Sequence, residues 1–274
     1  GDIVPLEDIE DAIKKEKYKL MTFTHVDTST AVLNDPKPIG ALGKKYDVLT
    51  ILDGVCSVAG EEIQQEAWGS DVVLTASQKA IGVPPGLALM VVSPKAMAVW
   101  KNRSVPVGNY YADWENWLPI MEAYMQRKPS YFGTPAVNLI LALEKSLQLI
   151  LNEGMEQRIE RHRKVGHAFR EGLKSMGLKI IPLNDAVAAN TLSAPYFPEN
   201  IPGPAIISGI GDGGVIVAGG LLPELKTSYF RVGHMGITGK NEVIITLKAI
   251  EASLLKQGIK IEKDACLKTA LEIL

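Results

Sequence analysis

The sequence predicts an α/β protein built on a largely parallel sheet, and three observations carry that prediction. Short apolar, strand-sized runs alternate with helical stretches through the first 92 residues. Three of those runs end in chemically capable residues: the cluster His25-Val26-Asp27-Thr28-Ser29-Thr30, then Asp53, then Thr75-Ala76-Ser77-Gln78-Lys79. In open parallel sheets ligands bind outside the carboxyl ends of the strands, so three such endings in succession point to a site.

The elements follow in order. Residues 5–17 have Pro near the start, acids in the first turn and bases in the last, a helix pattern. Residues 18–24 read as a buried strand, 36–45 as a short helix that contains Gly40-Ala41-Leu42-Gly43, and 47–52 as a second strand. Residues 71–74 and 86–92 supply a third and a fourth. An aromatic stretch with Tyr110, Tyr111, Trp114 and Trp117 leads to two helices over residues 135–172, broken near Gly154. Leu139, Leu143, Leu147 and Ile150 form an apolar stripe on the first of these. Short strands at 178–182, 190–196 and 229–232 then lie between helices at 204–210 and 240–257, which reads as a smaller α+β domain. Residues 259–274 form an amphipathic helix with Leu267, Ala270, Leu271 and Leu274 on its apolar face. The domain division is therefore 1–151 and 152–274, and no internal repeat is present.

Composition narrows the function classes. Of 274 residues, 46% are hydrophobic and 22% charged, an ordinary globular balance. A net charge of -2 offers no basic field for nucleic acid or anionic lipid. No apolar run approaches the roughly 18–20 residues needed to span a bilayer. Cys56 and Cys266 match no paired metal spacing and form no disulfide framework, so no metal site is expected and a reducing, intracellular compartment is the simpler reading. The start at Gly1 has no signal-peptide pattern and no initiator Met, which reads as a chain that begins partway through a longer protein.

Each candidate residue has two readings. Lys79 at a strand end is either a lysine tuned for Schiff-base chemistry or the start of a surface helix. Asp53-Gly54 is either a turn or a carboxylate on the same sheet rim as Lys79, where it could hold a pyridinium nitrogen protonated. Arg231 is either a substrate-carboxylate clamp or a surface ion pair. His162 and His167, among Arg158, Arg161, Arg163 and Lys164, read as solvated residues of a charged helix, and His234 reads as packed and hydrogen-bonded. The clusters Gly211-Asp212-Gly213-Gly214 and Ala218-Gly219-Gly220 read as turns because no strand–loop–helix order surrounds them. Cys56 has no base spaced to activate it.

Together the segments His25-Val26-Asp27-Thr28-Ser29-Thr30-Ala31, Leu52-Asp53-Gly54-Val55-Cys56-Ser57 and Asp71 to Ala80 resemble class V aminotransferases of pyridoxal-phosphate fold type I. With Pro84-Pro85-Gly86, Tyr131-Phe132-Gly133-Thr134-Pro135 and Tyr229 to Gly236, the chain is most similar to the alanine–glyoxylate (serine–pyruvate) branch in a fungal-like form, as far as about residue 256. The resemblance implies a large cofactor domain over residues 1–151, incomplete at its N-terminal side, and a small domain over 152–274.

It also implies the roles. Lys79 would form the Schiff base with pyridoxal phosphate and shuttle the α-proton; Asp53 would pair with the ring nitrogen; Val55 would pack on the ring. Thr28 would bond near the phenolic oxygen, Gln78 would help hold the phosphate, and Arg231 would grip the substrate carboxylate. Tyr131 and Thr134 would reach the phosphate of a neighbouring subunit in a homodimer. Family members carry a preceding segment with a Gly/Ser-rich phosphate loop at a helix N-terminus and an aromatic residue that stacks on the ring; no substitute precedes Lys79 here. The expected reaction is transamination between a small amino acid, alanine or serine, and glyoxylate or pyruvate. The other readings are a noncatalytic fragment of such an enzyme, or a class V lyase or desulfurase, which would need a mobile catalytic cysteine. The ending Glu272-Ile273-Leu274 is not a Ser-Lys-Leu-type peroxisomal address, and the organelle stays open between cytoplasm, mitochondrion and peroxisome.

Overall fold

A computed structural model describes residues 1–274. The chain opens with α1 (Leu6–Lys15), whose Glu10 accepts from Lys45 Nζ and Tyr46 Oη, both at 2.6 Å. Then come β1 (Leu20–Thr24), α2 (Pro36–Lys45), β2 (Leu49–Asp53), the single turn α3 (Gln65–Trp68), β3 (Val72–Ala76) and β4 (Ala88–Val92). The sheet order is β1-β2-β3-β4, with β1, β2 and β3 parallel and β4 antiparallel. Register places Thr24 beside Asp53 and Asp53 beside Leu74, so three carboxyl ends share one rim. Asp71 secures the opposite end: its Oδ2 accepts Thr50 N–H at 2.9 Å while its own N–H donates to Thr50 Oγ1 at 3.1 Å. The expected α/β class with a largely parallel sheet is what forms.

The connection to the second half contains α4 (Pro94–Lys101) and α5 (Trp114–Met125), then α6 (Val137–Glu153) and α7 (Met155–Ser175), separated by Gly154 at φ 84°. Beyond lie β5 (Leu192–Ser193), α8 (Gly203–Asp212), β6 (Ala218–Gly219), β7 (Phe230–Gly233), α9 (Lys240–Lys256) and α10 (Ala265–Ile273). The three short strands are antiparallel in order β5-β7-β6. This half has a core of 18 buried residues, including Phe169, Leu173, Ile206, Phe230, Leu247 and Leu254, contributed by α7, α8, β7, α9 and α10 among others.

Several expectations change. The strand read at 18–24 begins at Leu20, and as the edge of the sheet it is half-buried rather than buried. Residues 178–182 form no strand: Ile180 makes a single bridge to Pro195, and a proline without an N–H cannot continue a ladder. The strand expected at 190–196 shrinks to Leu192–Ser193 for the same reason. Ala218–Gly219, read as a turn, pairs with β7, and α4 and α5 form in a stretch to which the sequence reading assigns no helix. On α6 only Ile150 of the expected stripe is buried; Leu147 is exposed, as are Ile140, Leu141, Leu149 and Leu151 on its other sides. The final helix starts at Ala265, with Cys266, Leu267 and Ala270 buried and Leu271 exposed.

Close approach of α2 to the C-terminal end of α3 depends on Gly40, where a Cβ would collide with the carbonyl oxygen of Trp68. Ala is the better helix former by about 1 kcal/mol, but backbone atoms cannot yield as a side-chain tip does. Gly40→Ala is therefore expected to lower unfolding stability by about 1–3 kcal/mol in urea denaturation; a rise would show that the two segments do not meet as described.

Candidate active site

Thr28 belongs to a loop shaped by Asp27, whose carboxylate accepts from Ser29 N–H at 2.9 Å and Thr30 Oγ1 at 2.6 Å. Thr28 Oγ1 lies 2.8 Å from the buried Cys56 Sγ. Asp53 ends β2, and its backbone carbonyl receives His25 N–H at 3.0 Å, tying it to the next strand. Its Oδ1 accepts Val55 N–H at 2.9 Å, which fixes the carboxylate plane. Lys79 follows β3 in a turn braced by Ser77, whose hydroxyl donates to Pro84 O at 2.8 Å, and by Gly82 N–H on Lys79 O at 2.9 Å. Gly86, at φ 138°, lets the chain turn back into β4.

Arg231 approaches from β7. Its Nε donates to Gly219 O at 2.9 Å and its Nη1 to Thr28 O at 3.3 Å, so one guanidinium bridges β6 and the loop after β1. Tyr229, fully buried, donates its hydroxyl to Ser29 O at 2.6 Å and accepts from Leu221 and Leu222 N–H at 2.8 and 2.9 Å. Thr28, Cys56, Lys79 and Arg231 line a cavity of about 330 Å³ with Leu192, Ile216, Val217, Ala218, Gly233 and Met235. That volume suits a small ligand.

The structure thus gathers Lys79, Thr28 and Arg231 around one space. Asp53 and half-buried Val55 occupy the adjoining strand end without lining the cavity, and Gln78 is exposed beside Lys79. Tyr131 and Thr134 lie elsewhere on an exposed segment, Tyr131 Oη 3.1 Å from Thr134 Oγ1. A larger cavity of about 740 Å³, lined by His25, Glu61, Trp68 and Arg170 among others, contains none of the expected site residues.

Two further ties link this rim to the C-terminal half. Glu61 accepts Asn190 N–H at 2.5 Å and Asn190 Nδ2 at 2.9 Å, and Thr191 Oγ1 donates to Cys56 O at 2.7 Å. Burial pushes the Glu61 carboxyl up, with the Asn190 bonds opposing the shift. His234 is packed as expected: Nδ1–H donates to Asn190 O at 3.1 Å, leaving Nε2 to accept from Ser193 Oγ at 2.9 Å, while the ring stacks on Phe169. The expectation of a solvated His162 is corrected. It is fully buried, with Nδ1–H on Arg158 O at 2.8 Å and Nε2 accepting Gly236 N–H at 3.0 Å. Arg158 is buried as well; Arg161 is half-buried, and His167 is half-exposed.

His167, Glu171 and Asp185 bring one possible ligand atom each within 4.8 Å of one another, but Asp185 already pairs with Arg170 at 3.4 Å and Lys174 at 3.1 Å. Cys266 is buried in the core of the second half, where burial pushes its thiol up to about 12, beyond use as a nucleophile. A desulfurase's mobile cysteine has no counterpart there.

Residues 2–196 match the family described as aminotransferase class V. The chain belongs to that family. Among relatives of this chain, alanine–glyoxylate aminotransferase 1 of Saccharomyces cerevisiae is 38% identical over 256 residues, covering 90% of this chain and 65% of the yeast protein. The serine–glyoxylate aminotransferase of Arabidopsis thaliana is 31% identical, over 88% of this chain and 59% of its own length. The chain therefore spans less than two thirds of either. The crystal structure of ureidoglycine–glyoxylate aminotransferase from Bacillus subtilis superposes with a TM-score of 0.89 at 29% identity, covering all of this chain and 70% of that one. Class V membership brings pyridoxal phosphate as the cofactor of the family. The residues present fit its ring end: a lysine on the cavity wall, and a carboxylate fixed through one oxygen at the neighbouring strand end. No aromatic ring lines the cavity.

Burial pushes the imidazoles down, His25 and His162 to about 4 and His234 to about 3, from an ordinary 6.5. For each, the unfolded chain binds the proton more tightly, so stability is complete above about pH 6.5 and is lost as pH falls toward about 4. Urea midpoints are expected to drop across that window, with each histidine adding a slope of at most about 1.4 kcal/mol per pH unit. His162→Gln should flatten the slope; an unchanged slope would show that His162 does not fold neutral.

Proposed function

We propose that the whole protein transfers the amino group of alanine or serine to glyoxylate or pyruvate with pyridoxal phosphate. The carrying observation is that Lys79 and Arg231, from opposite halves of a class V chain, line one cavity at the carboxyl ends of parallel strands. The yeast and Arabidopsis relatives, named for alanine and serine as donors to glyoxylate, support the substrate class.

When bound, the cofactor supplies an electron sink for the bond broken at the substrate α-carbon. Lys79 would hold the cofactor covalently, and its Nζ, once freed by substrate, would carry the proton taken from the substrate α-carbon. Asp53 would hold the ring nitrogen protonated, Val55 would pack on the ring, Thr28 would bond near the phenolic oxygen, and Gln78 would help hold the phosphate. Arg231 orients the substrate carboxylate, a task for which a planar guanidinium is suited. Its partners Gly219 O and Thr28 O fix that plane before substrate arrives. Leu192, Val217 and Met235 give the cavity apolar walls, and Arg231 is its one arginine, so a short side chain is favoured over a second carboxylate.

The proposal includes a division of the chain at 151/152, supported by the separate core of the second half. It also includes a homodimer in which Tyr131 and Thr134 complete the neighbouring site. Tyr131 is exposed, and Ile140, Leu141, Leu149 and Leu151 leave α6 with an uncovered apolar surface. No helix is long and apolar enough to cross a membrane. Both cysteines are buried and unpaired, which supports an intracellular place.

Full-length protein with pyridoxal phosphate is expected to show the visible absorbance of the lysine-bound cofactor, which alanine or serine discharges. Lys79→Ala should lose both the band and turnover; a band that persists would overturn the assignment. Arg231→Lys should keep the band and raise KM for donor and acceptor by about 10- to 100-fold, as expected for losing one charged hydrogen bond. Sedimentation should show a dimer. Tyr131→Phe homodimers should lose activity, whereas a purified heterodimer of one Tyr131→Phe and one Lys79→Ala subunit should match a heterodimer of one unaltered and one Lys79→Ala subunit, because its intact Lys79 meets the partner's intact Tyr131. A heterodimer as impaired as the Tyr131→Phe parent would place Tyr131 outside the neighbouring site.

A further inference from the structure

Two arginines of α7 reach the loops on both sides of the cavity without lining it. Arg158 Nε donates to Ala59 O at 2.7 Å and Nη2 to Ala80 O at 2.6 Å, the carbonyl next to Lys79. Its Nη1 meets Glu153 Oε2 at 2.7 Å. Three residues along, Arg161 donates from Nη1 to Thr238 O at 2.7 Å and from Nη2 to Gly236 O at 2.9 Å, in the turn that leaves the Arg231 strand. Its Nε meets Glu153 Oε1 at 2.6 Å. One carboxylate therefore fixes both guanidinium planes, and it is held below the ordinary carboxylate range chiefly by the Arg161 bond. The two loops also run close together: a Cβ at Gly236, which adopts φ 80°, would lie 3.6 Å from Ala80 O.

We infer that Arg158 and Arg161 are positioning residues, Arg158 for Lys79 and Arg161 for Arg231, and that through Glu153 they set the spacing between proton carrier and carboxylate clamp. The assignment rests on the transaminase reading above. Neither guanidinium reaches the cavity, so neither acts on substrate. Each holds carbonyls on one side only: Arg158 takes the turns after β2 and β3, and Arg161 takes the turn after β7. Two carbonyls and a carboxylate around one buried group require donors spread in a plane. An ammonium, as a compact charge with shorter reach, cannot replace that fan.

This division predicts a split that a general loss of packing would not produce. In the full-length holoenzyme, Arg158→Lys should lower kcat about 10- to 100-fold with KM little changed, because the misplaced group carries the proton. Arg161→Lys should raise KM for amino donor and oxo-acid acceptor together by about 10-fold or more, with kcat largely kept. Hydrogen exchange on the cofactor-free protein gives a second reading. Amides of 57–61 and 77–83 should exchange faster in Arg158→Lys, and those of 233–239 in Arg161→Lys. Arg163→Lys, on an exposed side of the same helix, serves as the control. Should either lysine variant fail to fold, Glu153→Gln retains one acceptor oxygen and should show both effects in smaller measure. Variants that match the control, or that change kcat and KM alike and exchange everywhere, would overturn the inference. Absence of turnover in the unaltered protein would instead overturn the proposed activity, while exchange would still report whether the arginines hold these loops.

Discussion

A buried carbonyl must find a donor, and the loops at the carboxyl ends of β1, β2 and β3 find many of theirs in the other half of the chain. Ser29 O takes Tyr229, Thr28 O takes Arg231, Cys56 O takes Thr191, and Ala59 and Ala80 O take Arg158. Helices and inner strands satisfy most of their own backbone; these loops, which carry Thr28, Val55 and Lys79, make some bonds of their own but leave the carbonyls just named to side chains. Their conformation therefore depends on side chains more than 70 residues away in sequence, and the site exists only where the two halves are docked.

Electrostatics at that junction is arranged to keep charges accounted for. Arg158 is buried against two carbonyls and a carboxylate, which replace most of the water it gives up. Two buried histidines of the junction take the other solution: His162 and His234 fold neutral, each with one nitrogen donating and the other accepting. Glu61 pins Asn190, whose carbonyl holds His234 three residues beyond Arg231. The Arg231 strand and the turn that follows it are thus braced from behind by neutral groups and from α7 by a cation.

Legibility in sequence followed how local the cause was. Helices α2, α6, α7 and α9 were readable because each has its period, its stop and its end residues within its own span, such as Gly154 between α6 and α7. The positions of Thr28, Asp53 and Lys79 at or just beyond strand ends were readable because polar clusters mark where a buried strand stops. The 178–182 strand was misread because its partner is a proline, a fact outside the segment. His162 was misread as solvated because it stands among charges. The signal against that reading was spacing: Arg158, His162, Val165 and Phe169 recur at helical intervals on the face that is buried.

By itself the sequence determined the α/β class, the order of the strands' reactive ends and the family, because apolar period and strand-end chemistry are written in contiguous residues. Only the tertiary structure decided that Arg231 faces Lys79 across one cavity, that β1 is a half-buried edge, and that a run of charges on α7 divides into buried braces and exposed ions. Those outcomes depend on which backbone groups from distant segments are left unpaired when the halves meet, and no local pattern encodes that.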